Sequence, residues 1–170
     1  VSNTHLTDLD LGHNGIGDDG IKAIASSLES NHTLETLYAG NNGLCAAGAT
    51  SLAACLTKNK VLQTLELGSN AIGNDGAKAF AAALKANQTL RSLGLGFNKI
   101  TDPGAAALAT ALKANGSLTQ LNLVGYKSAG AGGQANLRAV DSKLKQNLKA
   151  KQALEDKDKG SSAAACSSGG

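Results

Sequence analysis

The chain has 170 residues, with 21 Gly, two Phe, two Tyr, one Pro and neither Trp nor Met. A globule with one thick core draws on large aromatics as filler, so an apolar content carried by Leu and Ala points instead to a thin, regular core made of many copies of a small unit. The net charge of +3 is too weak to argue for nucleic acid, and no apolar run approaches the roughly 18–20 residues that cross a bilayer.

The first residues already belong to a pattern. Asn3-Thr4-His5-Leu6 has the same phase as Asn31-His32-Thr33-Leu34 and Asn87-Gln88-Thr89-Leu90. Asn3 therefore reads as the tail of a preceding unit, and the array as a fragment truncated at its N-terminal side. From Leu6 onward the chain aligns with itself every 28 residues, with units opening at Leu6, Leu34, Leu62, Leu90 and Leu118. In the first unit, Leu9 and Leu11 are two residues apart and point to one side of a short strand, so Asp8 and Asp10 point to the other. Asn14 ends the strand. Ile21, Ile24, Ala25 and Leu28 then follow at helical spacing, after an acidic pair, Asp18-Asp19, that complements a helix N-terminus.

The second unit repeats this with Leu37, Ala39, Asn42 and Leu44, then Ala49, Leu52, Ala53 and Leu56. The third has Leu65, Leu67, Asn70 and Ile72, then Ala77, Phe80, Ala81 and Leu84. The fourth has Leu93, Leu95, Asn98 and Ile100, then Ala105, Leu108, Ala109 and Leu112, with Pro103 suited to a first helical turn. The fifth keeps Leu118, Leu121 and Leu123, but places Tyr126 where Asn belongs and Ser128 where Ile belongs. A Gly/Ala-rich loop, Gly125 to Gly133, precedes a basic amphipathic helix from about Gln134 to Asp158. Leu137, Val140, Leu144 and Leu148 form its apolar stripe, and Arg138, Lys143, Lys145, Lys149 and Lys151 fill the other faces. Residues 1–126 hold 8 Lys/Arg and 9 Asp/Glu, residues 127–170 hold 8 and 4, so the positive excess lies in this C-terminal part. The organisation is repeats over 1–126, a loop and capping helix over 127–159, and a Ser/Ala/Gly tail over 160–170 whose composition predicts disorder.

One strand–turn–helix unit cannot bury its leucine face alone. Stacked units can, with the strands in one parallel sheet on a concave side and the helices in a layer outside it. In register, Asn14, Asn42, Asn70 and Asn98 form a ladder that bonds backbone groups of their own and neighbouring turns.

The L-x-x-L-x-L-x-x-N-x-I/L pattern, over about residues 3–126, resembles the ribonuclease-inhibitor-like class of leucine-rich repeats. That class has β–α units of about 28 residues, as in ribonuclease inhibitor, NOD-like receptors and the GTPase-activating protein of Ran. The resemblance implies an α/β leucine-rich-repeat solenoid, a horseshoe that holds a protein partner on its concave face or edges, as part of a larger protein of the NOD-like-receptor type. The alternative it implies is a GTPase-activating regulator of the Ran-activator type. That family uses an Arg near the start of its array and carries an acidic tail, whereas the tail here is basic.

The concave columns are Asp8, Thr36, Thr64, Ser92 and Gln120, then Asp10, Tyr38, Glu66, Gly94 and Asn122, then His13, Asn41, Ser69, Phe97 and Gly125. Aromatics and Arg are the usual interface anchors, so Tyr38, Phe97 and Arg91 are the leading candidates. Asp10 and Glu66 suit a basic partner, with Asp8, Gln120 and Asn122 beside them. The competing reading is that these positions tolerate any polar side chain and that Phe97 folds into the stack. Cys45, Cys55 and Cys166 lack a C-x-x-C spacing and read as buried or half-buried thiols, and unpaired Cys favours the cytoplasm. His5, His13 and His32 have no matching ligand set for a metal. The sequons at Asn31, Asn87 and Asn115 fall at one repeat phase and are explained by turn chemistry. No Ser/His/Asp or Cys/His set and no phosphate loop is present. The sequence thus predicts a non-enzymatic scaffold for a protein partner, with no cofactor, metal, nucleic acid, membrane or small-molecule substrate.

Overall fold

The computed structural model describes residues 3–127 and 131–166. Five short strands alternate with five helices: β1 (Asp8–Asp10), α1 (Gly17–Leu28), β2 (Thr36–Tyr38), α2 (Ala46–Lys58), β3 (Thr64–Glu66), α3 (Gly73–Ala86), β4 (Ser92–Gly94), α4 (Asp102–Leu112), β5 (Gln120–Asn122) and α5 (Ala131–Cys166). The strands form one parallel sheet in chain order. Leu9 pairs with Leu37, Leu37 with Leu65, Leu65 with Leu93 and Leu93 with Leu121, so the 28-residue phase is also the sheet register. Strands lie about 4.8 Å apart and packed helices about 8–10 Å apart, so such a stack curves with its sheet inside.

The core lies between the two layers. Leu34, Leu62, Leu90 and Leu118 are buried, as are Leu37, Leu65 and Leu93 on the strands and Leu28, Leu56, Leu84 and Leu112 on the helices. Phe80 takes the phase of Leu52 and Leu108 and is fully buried. Close helix approach needs small residues: a Cβ at Gly76 would lie 2.8 Å from that of Ala49. At the N-terminal edge the same positions are more open. Leu6 is exposed, Leu9, Leu11 and Ile24 are only partly covered, and Leu6, Leu9, Ile24, Leu28 and Leu34 line a hollow of about 320 Å³.

The expected asparagine ladder is present. Asn42 Nδ2 donates to the carbonyls of Leu11 (2.8 Å) and Gly40 (3.1 Å), and its Oδ1 accepts from the N–H groups of Asn14 (3.0 Å) and Ile16 (3.3 Å). Asn70 serves Asn42 and Leu44 in the same way, and Asn98 serves Ile72. Backbone groups that the three-residue strands leave unpaired are thereby satisfied away from water. In the fifth unit the Tyr126 hydroxyl, at the phase of the asparagines, donates to Asp102 Oδ1.

A second ladder goes beyond the local turn chemistry expected at the sequons. Asn31, Asn59, Asn87 and Asn115 each accept on Oδ1 from N–H groups two and three residues ahead. The Nδ2 of Asn59, Asn87 and Asn115 also reaches back across the repeat boundary to two carbonyls. For Asn87 these are Leu56 (2.7 Å) and Asn59 (3.2 Å). Asn87 and Asn115 are completely buried, so their amides are not free acceptors for a glycan in the folded chain.

The C-terminal helix departs from expectation in three ways. It begins at Ala131, with Gly132 and Gly133 inside it, instead of near Gln134. It continues to Cys166 through residues predicted to be disordered, because the run Ala163–Ala165 after Gly160 consists of the strongest helix former. Its apolar seam stops early: Val140 and Leu144 are buried, Leu137 is partly covered, and Leu148 is exposed. Asn147, 4% exposed, closes the seam in place of Leu148, donating from Nδ2 to the carbonyls of Asn115 (3.1 Å) and Leu118 (2.7 Å). This is the service Asn59, Asn87 and Asn115 give the unit before them. Ser128 and residues 167–170 lie outside the described residues.

Candidate protein-binding face

On the side of the sheet away from the helices, the strand register sets the functional columns. Asp10, Tyr38, Glu66, Gly94 and Asn122 are direct neighbours across β1 to β5, and Asp8, Thr36, Thr64, Ser92 and Gln120 form the adjacent column. Asp10, Tyr38 and Glu66 line one open groove of about 520 Å³ together with Gly12, Gly40 and Gly68. The far wall is His13, Asn41 and Ser69, where Asn41 Nδ2 and His13 Nδ1 lie 2.6 Å apart. Tyr38 is 43% exposed.

Glu66 is the most constrained of these side chains. Its Oε1 accepts from the Ser92 hydroxyl at 3.2 Å. Its carboxylate lies in the notch left by Gly94, where any Cβ would overlap it. Burial against this surface pushes the Glu66 carboxyl above its usual range, and the Ser92 bond pulls it part of the way back. Asp10 is fixed differently, its Oδ1 accepting from the Gly12 N–H at 2.8 Å. Asn122 Oδ1 does the same for the Val124 N–H at 2.9 Å.

Phe97 sits apart from that groove. It is 63% exposed, so it does not fill the stack. Its ring lies over Gly125, whose Cβ, if present, would fall 2.6 Å from it. Phe97, Lys99, Ile100, Thr101, Gly125 and Lys127 line a second hollow of about 310 Å³. Phe97 occupies the left-handed region at φ +55°, as do His13, Asn41 and Ser69 in the same column. That conformation costs about 1–2 kcal/mol for a residue with a Cβ, and short polar side chains tolerate it better than an aromatic does. Arg91 is partly covered, and its Nη1 donates to the Ser117 carbonyl at 3.1 Å. Asp8, Gln120 and Asn122 are exposed.

The candidates thus divide into a groove at Asp10, Tyr38 and Glu66 and a separate hollow at Phe97. Sequence reasoning did not single out Ser92 and Gly94 as the support for Glu66. Their positions one strand over, in the columns of Thr64 and Glu66, were the available signal. It also did not single out Lys99 and Lys127, which rim the Phe97 hollow. Of the thiols, Cys55 is buried, and burial, with Glu29 adding and Lys58 opposing, pushes it up to about 11. Cys45 is exposed rather than buried or half-buried, because it precedes the first residue of α2 with its N–H given to Asp18 Oδ1 at 2.8 Å.

The register, the two asparagine ladders and the open inner face define a leucine-rich-repeat fold. A family model described as "Leucine Rich repeat" matches residues 2–25, 58–81 and 86–109. No curated protein sequence matches the chain. Among solved structures, the chain is similar to the Actin-Binding Site 2 (ABS2) of leiomodin-1, with a TM-score of 0.76 at 22% identity over 92% of this chain and 90% of that one. It is also similar to the tropomodulin C-terminal domain of Caenorhabditis elegans, with a TM-score of 0.73 at 11% identity over 88% of this chain and 90% of that one. At these identities the likeness concerns the fold.

Proposed function

We propose that this chain is a non-catalytic module that binds a protein partner on the inner face of its sheet, with repeats of the ribonuclease-inhibitor-like type. The observation that carries the reading is the groove lined by Asp10, Tyr38 and Glu66 from three successive strands together with Gly12, Gly40 and Gly68. An aromatic flanked by polar groups on a rigid sheet suits an interface anchor, since little side-chain order has to be created on binding. The 28-residue β–α unit supports the repeat type. The free thiols of Cys45 and Cys55 support a cytoplasmic setting.

The structural likeness to an actin-binding site of leiomodin-1 makes actin the first partner to test. Purified actin and a cell lysate are presented to the immobilised chain, to Tyr38→Ala and to Phe97→Ala. We expect a captured protein whose recovery falls severalfold in at least one variant. Equal recovery by all three would remove the inner face as the binding surface.

A further inference from the structure

The chemistry of the inner face narrows the kind of partner. Asp10, Tyr38 and Glu66 stand at one register on consecutive strands, so their Cα atoms step across the sheet by about 4.8 Å each. Tyr38, with its exposed phenol ring, therefore stands between two acidic residues, the Glu66 carboxylate reaching on toward Gly94. Both carboxylates are held in place, Asp10 by the Gly12 N–H and Glu66 by Ser92 and the Gly94 notch. Each keeps acceptor capacity beyond those bonds, since an ionised carboxylate has about four lone-pair sites.

Neither carboxylate takes part in the ion pairs among the described residues. Those join Lys58 to Glu29, Lys78 to Asp75 and Lys151 to Glu155. The groove thus combines an aromatic ring, which attracts a cation to its face, with two fixed anions that lack a cation of their own. A planar guanidinium suits it well, with one face for the ring and N–H donors pointing outward in the plane.

We propose that the Asp10–Tyr38–Glu66 row seats an arginine side chain of a partner segment lying across strands β1 to β3, a refinement that rests on the inner-face reading above. The partner presents this arginine with small or polar neighbours, because Gly12, Gly40 and Gly68 along the groove offer no side chains for a large apolar group to interlock with. The contact weakens with salt, since the groove is open to solvent.

The test is a backbone-amide NMR titration of the full chain with acetyl-Gly-Arg-Gly-amide, and with the same peptide carrying citrulline, a neutral isostere of arginine. The arginine peptide is expected to shift the amides around Asp10, Tyr38 and Glu66 and to leave those around Phe97 unmoved. Glu66→Gln, which keeps the shape and an acceptor for Ser92, should weaken binding about two- to fivefold, the range for one exposed charge contact. Asp10→Asn combined with Glu66→Gln should abolish the shifts. Equal shifts from the citrulline peptide, no shifts from the arginine peptide, or no effect of Glu66→Gln would each overturn the proposal. If a captured protein cross-links to the inner face while the arginine peptide leaves the groove amides unmoved, the arginine seat fails and the broader reading stands. If neither is seen, both fail.

Discussion

Replacing Asn87 by Ala should destabilise the fold far more than the same change at Asn31, although both occupy one repeat phase. Asn87 is completely buried and makes four principal backbone contacts. Its Oδ1 accepts from the N–H groups of Thr89 (3.0 Å) and Leu90 (2.8 Å), and its Nδ2 donates to the carbonyls of Leu56 (2.7 Å) and Asn59 (3.2 Å). Removing the side chain strands two N–H groups and two carbonyls where water has little access. A buried donor left without a partner costs about 1–3 kcal/mol, and a carbonyl with a second lone pair costs less, so the total comes to about 3–5 kcal/mol. That is a large share of the roughly 5–15 kcal/mol that holds a domain together. Asn31 is only partly covered and bonds the Thr33 and Leu34 N–H groups, which water reaches more easily, so Asn31→Ala should cost about 1–2 kcal/mol. Asn87→Asp keeps the acceptor but turns a carboxylate toward two carbonyls, and should be at least as damaging as Ala. Urea unfolding followed by circular dichroism at 222 nm measures all three. Equal losses at Asn31 and Asn87, or a mild effect of Asn87→Asp, would refute the claim that the cross-repeat bonds carry the difference.

Phe97→Asn should raise the melting temperature by about 2–4 °C, as expected for about 1 kcal/mol in a chain of this size, because Asn already fills the same left-handed position at Asn41; a lower melting temperature would show that the ring's packing on Gly125 outweighs the backbone strain. The folded chain holds the Glu66 proton more tightly than the unfolded one does, so stability drains away as pH rises from the unfolded value of about 4.3 through the raised folded value. Glu66→Gln should therefore be more stable than its parent at pH 7, with the gain shrinking at pH 4, and a gain equal at both would refute this assignment. Iodoacetamide at pH 8 followed by peptide mapping should label Cys45 and spare Cys55, which is buried and pushed up to about 11; comparable labelling of both in the absence of denaturant would contradict the burial.

The repeat, the sheet register and the first ladder were all legible in the sequence, because each depends on one residue type recurring at a fixed phase. Leu9, Leu37, Leu65 and Leu93 announce their own alignment. What was not legible involved residues whose neighbours come from another unit. Nothing local marks Gly94 as the seat of Glu66, and only the pairing of β3 with β4 brings them together. The Nδ2 bonds of Asn87 and Asn115 were hidden for a related reason: bonds from the same side chains to nearby N–H groups already account for an Asn at that phase. In α5, an apolar stripe at helical spacing suggested Leu148 as the last contact, whereas the free carbonyls of Asn115 and Leu118 favour a polar partner, supplied by Asn147. The inner-face side chains were legible as positions only, since variable surface residues carry no periodic signal of their own.

The way Asn147 engages the fifth unit has a practical side. Helix α4, strand β5 and the first half of α5 form a terminal stopper, joined by the Asn147 bonds and by the packing of α5 on α4. Whole 28-residue blocks inserted ahead of it would move the stopper outward without changing what it grips. A designer could therefore widen the inner face strand by strand, adding seats beside Asp10, Tyr38 and Glu66, while reusing one unaltered terminus.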